Sequence, residues 1–433
     1  MKLVQWSCKA AGIALVALLI MSAGVVFNPT PAKAADGLIL PNGCSLKIYG
    51  YTKLDALWTD QDGGGDYNYF PNAVLLDKTT SKVVPAGTEF KDDKASSSFM
   101  MHARQTRIGF ATSTDTEYGK LKTVIETDFY GKLNKSDDGD TNGSYTSVSN
   151  SWGLRMRKAY GQLGNLLVGQ NWSTFIDLNS YGETLDFGGP AGFLFIRQAQ
   201  IRWTQPFNGG SLQFALENPT SHFLTYDPAG PTGRSNRKTT IPAKTISGSN
   251  QVIPDIIARA NFDTTYGKYS ISTMARNLRI DNDINHYNDN AWGYAVSLTA
   301  SIPTIGKDNL ILQFNYGDAL GRYMECGFAE AFINPKTGEI EKNDQMGILA
   351  GYRHFWKYNL RSTILYSYAS RDNDSKYVPD TVDEDYHSVH ANIIWSPVSR
   401  VNIGAEYIWA YRELESDADG HMNRLQFSFQ FNF

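Results

Sequence analysis

Leu425, Phe427, Phe429, Phe431 and Phe433 alternate with Gln426, Ser428, Gln430 and Asn432 along the last stretch of the sequence. Side chains of a strand point to opposite sides at a period of two, so this segment has one apolar and one polar face and belongs between lipid and water. A bilayer accepts strands only as closed barrels, because an open edge would leave backbone N–H and C=O groups unpaired in hydrocarbon. The expected fold is therefore all-β, a transmembrane antiparallel β-barrel closed by this strand. The competing reading is an amphipathic edge strand in a soluble sandwich.

The first residues agree with the barrel. Lys2 and Lys9 precede an apolar stretch over 10–27, and Pro29, Pro31 and the run Ala32-Lys33-Ala34-Ala35 supply an A-x-A cleavage point. Residues 1–34 read as a secretory signal peptide and 35–433 as the barrel, with an uncleaved anchor as the alternative. Cys8 precedes the apolar stretch and Cys44 lies well beyond it, so neither stands where a lipoprotein cysteine would. Without the signal lysines Lys2, Lys9 and Lys33 the basic count falls from 40 to 37 against 44 acids, a net charge of -7. That balance gives no reason to expect nucleic acid as a partner. No Pro/Gly/Ser linker divides the chain, and beyond the signal the longest apolar run is the short one over 191–196, too short to span as a helix. A mean hydropathy of -0.35 with 13% aromatic residues suits a barrel with a polar lumen. Cys44 and Cys326 are too few for a disulfide scaffold, and whether they pair stays open.

Strand-like runs lie near 45–59, 99–112, 120–131, 153–162, 166–172, 196–205, 211–218, 255–263, 267–279, 291–302, 309–318, 344–356, 360–369, 386–396, 400–412 and 422–433, about sixteen in all. Connections such as 163–165, 206–210 and 357–359 are short, whereas 60–98, 132–152, 218–254 and 321–343 are long. Short turns on one side and long loops on the other are the asymmetry of bacterial outer-membrane barrels, which predicts the outer membrane as location, with lipid and lipopolysaccharide as neighbours. Val401, Ile403, Ala405, Tyr407, Trp409 and Tyr411 share a face opposite Asn402, Gly404, Glu406 and Arg412; Leu212, Phe214 and Leu216 likewise oppose Gln213 and Glu217. Trp58, Trp203, Trp292, Trp356 and Trp395 fall near strand ends, as an aromatic girdle requires. A barrel of this size encloses water.

Arginines dominate the expected lumen: Arg104, Arg107, Arg155, Arg157, Arg197, Arg202 and Arg259 are the candidate pore-lining cations. An arginine facing lipid at the midplane would cost about 2–4 kcal/mol, which directs them inward. As a set they predict a cationic track that binds carboxylates in bidentate fashion. The alternative is that each one merely pairs with an acid such as Glu126 or Asp128 on the adjacent strand. The segment 172–197, after the fifth strand, carries Asp177, Glu183 and Asp186 and the small-residue tip Phe187-Gly188-Gly189-Pro190. Folded inward, its acids are expected to face the arginines and set up a transverse field.

Several segments resemble the DcaP-like family of trimeric outer-membrane porins: Leu154-Arg155-Met156-Arg157-Lys158-Ala159-Tyr160-Gly161, Leu167-Val168-Gly169-Gln170-Asn171-Trp172, Glu183-Thr184-Leu185-Asp186-Phe187, Arg197-Gln198-Ala199-Gln200-Ile201-Arg202 and Tyr49-Gly50-Tyr51-Thr52-Lys53. The resemblance is dense over 45–205 and topological beyond. It implies a homotrimer of sixteen-stranded barrels, with an inward constriction loop, that takes up dicarboxylates and related small organic anions. Some members carry a helical extension before the barrel, and only 35–44 stand in that place here. A last strand ending in Phe433 also resembles the signal read by the barrel assembly machinery. Asp138, Asp140, Asn142 and Gly143 imitate half a calcium loop, but Ser149 replaces its bidentate glutamate, and no metal or cofactor is expected. His387 and His390 stand three apart on a strand, on opposite faces, and no nucleophile elbow or P-loop appears, so an enzyme is not expected. The function read from the sequence is an anion-favouring diffusion porin; the alternatives are a weakly selective general porin and a barrel acting as surface anchor or adhesin.

Overall fold

The computed structural model describes residues 38–39, 43–61, 67–77, 90–91, 97–131, 150, 152–225, 244–248, 251–282, 287–373, 378 and 382–433. The predicted signal segment and the calcium-like loop at 138–149 lie outside the described residues. The chain divides into two units, Met1–Leu38 and Ile39–Phe433, and the barrel lies in the second.

Its wall is a closed antiparallel barrel of 16 strands. In chain order these are β1 Ser45–Thr59, β2 in two pieces, Ser98–His102 and Arg107–Thr116, β3 Gly119–Gly131, β4 Gly153–Leu163, β5 Leu166–Trp172, β6 Arg197–Phe207, β7 Gly210–Glu217 and β8 Asp255–Thr264. They continue as β9 Gly267–Asn282, β10 Tyr287–Pro303, β11 Asn309–Gly317, β12 Gln345–Lys357, β13 Leu360–Arg371, β14 Asp383–Trp395, β15 Val401–Leu414 and β16 Asp419–Asn432. Each pairs with its neighbour, and β16 closes the ring on β1 from Tyr51↔Asn432 to Thr59↔Arg424. No strand edge is left for the bilayer to meet. Every expected strand is present; β9 and β10 are longer than their apolar runs indicated.

Burial is inverted relative to a water-soluble protein. On β16 the polar Gln426 and Ser428 are 2% exposed while Phe431 is 52% exposed. On β7 Leu212, Phe214 and Leu216 are exposed and Gln213 and Glu217 buried. An exposed apolar band around a polar interior is the signature of a wall that faces lipid. Trp203, Trp292 and Trp356 are exposed in that band.

Two breaks in the wall shape the lumen. Between the pieces of β2 the ladder is interrupted, and the Thr106 hydroxyl accepts the Lys53 N–H at 3.1 Å in its place. On β4 the pairing shifts from Glu126↔Lys158 to Thr127↔Met156, a bulge that leaves Arg157 as the extra residue. Such a bulge re-aims the side chains beside it. Arg155, Arg157 and Lys158 consequently all reach inward to Asp128 and Glu126.

Apolar residues also point inward. Tyr69 and Val74, from the loop after β1, pack on Ile408, Ala410 and Met422. Phe175, Ile176, Leu194, Tyr323 and Met324 pack on Ala215, Ile257, Met274, Ala295, Ala369 and Tyr386. The loops thus fill part of the lumen against β7–β16.

Candidate functional site

The segment between β5 and β6, 173–196, crosses the lumen. Hereafter the inner loop, it is held by bonds to distant strands. The Leu185 N–H donates to Glu406 of β15 at 2.5 Å, and the Leu185 carbonyl accepts from Lys53 of β1 at 2.7 Å and from Gln426 of β16 at 3.0 Å. The Ala191 and Gly192 N–H groups donate to Ser388 and Ser367, at 3.1 and 2.8 Å. A Cβ on Gly192 would lie 2.0 Å from the Tyr368 carbonyl oxygen, so only glycine lets the loop lie this close to β13. These contacts satisfy backbone groups that would otherwise be orphaned in the lumen.

The acids of the inner loop serve the same purpose. Glu183 accepts a bidentate pair of bonds from Arg361 of β13, at 2.7 and 2.6 Å. Asp186 accepts from the Tyr69 N–H at 3.0 Å and the Gly188 N–H at 2.8 Å and lies 3.8 Å from Arg424 of β16. Asp177 accepts from Thr299 of β10 at 2.8 Å and caps Asn179 at 3.0 Å. Glu183 and Asp186 are therefore turned toward β13 and β16, away from Arg107, Arg155, Arg157 and Arg202. The face that meets the arginines is aromatic: the Arg155 and Arg157 guanidiniums lie 4.9 and 5.5 Å from the Phe187 ring.

The arginines divide by partner. Arg155 forms a bidentate pair with Asp128, at 3.0 and 2.7 Å, and Arg157 bridges Glu126 at 2.8 Å and Asp128 at 2.7 Å. Arg107 is 3.8 Å from Glu126 and 4.9 Å from the Tyr51 ring. Arg104, at the break in β2, stacks on Tyr67 and Trp152. Arg197 stacks on Trp172 at 3.8 Å and faces Phe195 at 5.3 Å. Among the described residues no carboxylate comes within ion-pair distance of Arg197, Arg202 or Arg259, and the Nε of each is buried without a hydrogen-bond partner. Arg259 does donate from Nη1 to the Ile176 carbonyl. Arg202 and Arg259, with Lys158, Tyr160, Asn171, Asp177 and Gln213, line a cavity of about 380 Å³ at the root of the inner loop.

A second loop, 318–344 after β11, also enters the lumen. Phe195 N–H donates to the Tyr323 carbonyl at 2.9 Å and Glu325 N–H to the Phe193 carbonyl at 3.0 Å, so the two loops form a short ladder. Its base is a buried ion cluster in which Arg276 meets Asp255 at 3.2 Å and Glu330 at 3.3 Å, and Arg322 meets Asp255 at 3.4 Å. Sequence reasoning missed this loop. The available signal was the set of apolar residues at inward parity, such as Ile257 beside Arg259 on β8, which had no reason to face water.

A family model described as a porin subfamily matches residues 42–432. The chain belongs to that porin subfamily. Family and fold both point to a channel. Porin Omp2b of Brucella suis is 30% identical over 225 residues, 49% of this chain and 54% of that protein, so the chain spans about half the length of this curated relative. The outer membrane channel DcaP of Acinetobacter baumannii has a TM-score of 0.71 at 18% identity, covering 92% of this porin and 100% of that chain. The anion-selective porin from Comamonas acidovorans has a TM-score of 0.52 at 13% identity, covering 90% and 100%. At those identities the likeness is one of fold, and it matches the resemblance to the DcaP-like family read from the sequence.

Cys44 and Cys326 are not bonded to each other. His387 lies among Tyr366, Tyr368 and Tyr411, whereas His390 is fully buried beside Glu406 at 3.2 Å, so they occupy opposite faces of β14. Phe433 lies just beyond β16, donates its N–H to the Gly50 carbonyl at 3.1 Å, and is 51% exposed.

Proposed function

We propose that this porin is a passive channel for small hydrophilic solutes that favours organic anions, dicarboxylates among them, and that it works as a homotrimer. The observation that carries this reading is the row Arg197, Arg202 and Arg259 on β6 and β8, lumen-facing and without a carboxylate at ion-pair distance among the described residues. Guanidiniums that no carboxylate pairs directly, in a partly desolvated passage, concentrate anions and offer two-point recognition of carboxylates. Binding must stay weak, since a channel that holds its cargo does not conduct it. Arg107, Arg155 and Arg157 add positive potential that Glu126 and Asp128 partly cancel. In this reading residues 1–34 direct export and are removed, Phe433 is read by the barrel assembly machinery, and the aromatic-flanked outer face meets lipid and lipopolysaccharide.

The test is the zero-current potential of the purified porin in a planar bilayer across a salt gradient, with succinate as blocking ion. Arg197→Gln, Arg202→Gln and Arg259→Gln together should move the potential toward cation preference and weaken succinate block. An unchanged potential would instead favour the weakly selective general porin, in which arginines hold the wall as Arg157 does. Failure of the parent to conduct would favour the anchor reading.

A further inference from the structure

Among the acids that reach the central lumen, Glu325 stands apart. Glu183 and Asp186 are tied to Arg361 and Arg424, and Glu126 and Asp128 to Arg157 and Arg155. The Glu325 carboxylate has no hydrogen-bond or ion-pair partner among the described residues, although its backbone is pinned to Phe193. It is half-buried, and close enough to Arg197 and Arg155 for their charges to act on it.

We propose that Glu325, carried inward by the loop after β11, is the residue that meters the anion preference of the arginine wall. The proposal rests on the anion-favouring function and adds a negative pole to it. A carboxylate without an ion-pair partner among the described residues, on a loop laddered to Phe193 and Phe195 beside Arg197, offsets the potential of Arg197 and Arg155 on a solute in the lumen. A solute with two carboxylates gains from the arginines and loses to Glu325, whereas one carrying both a carboxylate and an ammonium gains from both poles. The chemical class favoured while Glu325 is charged is therefore dipolar. Once it is neutral, the dianion is favoured.

The groups facing Glu325 decide when it is charged. Asp186 and Tyr181 face it from the inner loop, Tyr69 from the loop after β1, Arg155 from β4, Arg197 from β6, and Cys326 beside it in the chain. Burial and then Asp186 raise its pKa well above the ordinary carboxylate value, while Arg197 and Arg155 act in the opposite direction. A raised pKa means that the carboxyl is neutral at low pH and ionises only as pH climbs through its elevated value. Anion preference should accordingly be greatest in acid and decline as Glu325 ionises.

The experiment compares the parent, Glu325→Gln, Glu325→Ala and the control Glu183→Gln as trimers in planar bilayers, from about pH 5 to about pH 9. The readouts are the zero-current potential in a salt gradient and block by succinate and by glycine. At the high-pH end Glu325→Gln should raise the anion-to-cation permeability ratio about two-fold or more, as removal of one nearby opposing charge requires. It should also flatten the parent's pH dependence and strengthen succinate block relative to glycine. Glu183→Gln should leave the pH dependence in place. The proposal is overturned if Glu325→Gln retains the parent's ratio and pH profile, or if neither Glu325 variant assembles, which would make the residue a structural support of its loop. A parent that is not anion-preferring at any pH, with Glu325→Gln still shifting the ratio, would overturn the proposed function and spare the role of Glu325.

Discussion

A guanidinium in a channel does different work according to whether a carboxylate reaches it. Arg157, 3% exposed and bonded to both Glu126 and Asp128, braces β3 against β4. Asp128→Asn removes a fully buried partner and leaves Arg155 and Arg157 short of counter-charge. The variant should lose about 3–5 kcal/mol of barrel stability, seen as an earlier denaturant midpoint for the folded band, while its anion preference rises. Arg361 offers a contrasting case, since it restrains a loop. Arg361→Gln breaks the bidentate bond to Glu183 and should cost about 1.5–3 kcal/mol of stability, less than Asp128→Asn, while making open-channel current noisier. Inward direction was readable for each strand arginine because lipid would have penalised the opposite choice. Partnership was not readable, because it depends on which strands are adjacent and in what register.

At the scale of elements, two loops and a bulge shape the lumen of an otherwise plain cylinder. The inner loop and the loop after β11 share a short ladder and lean together on β12 and β13, where inward glycines make room. A Cβ at Gly347 would come within 2.3 Å of the Gly192 carbonyl oxygen and 2.9 Å of the Met324 sulfur. Gly347→Val should therefore leave the wall intact, with its heat-modifiable folded band, yet displace both loops and raise single-channel conductance. The strands themselves were legible from alternation alone, down to most of their boundaries. The β4 bulge was not: strict period two sends Lys158 outward, and only the shifted pairing at Glu126 brings its ammonium to within 3.2 Å of that carboxylate. The inner loop does enter the lumen, but Glu183 and Asp186 bind β13 and β16, while Asp177 shares a cavity with Arg202 and Arg259.

For the whole molecule, closure of β16 on β1 removes the last open edge, and loops anchored against β7–β16 fill part of the lumen. Fixed charges beside a water path act over the screening length, roughly 30 Å at 0.01 M salt and 3 Å at 1 M. Anion preference should therefore be strong in dilute salt and nearly vanish in concentrated salt, and a zero-current potential that does not change with mean salt concentration would point to size rather than charge as the filter. The sequence by itself determined the barrel, its strand number, the lipid face and the gathering of arginines inside, because alternation and the cost of polar groups in hydrocarbon act residue by residue. Only the tertiary structure decided which arginines lack an ion-pair partner among the described residues, which loops fill the lumen and that the Glu325 backbone is laddered to Phe193. Those outcomes depend on contacts between residues far apart in the chain, such as Lys53 with Leu185 or Phe193 with Glu325, and such contacts leave no periodic trace in sequence.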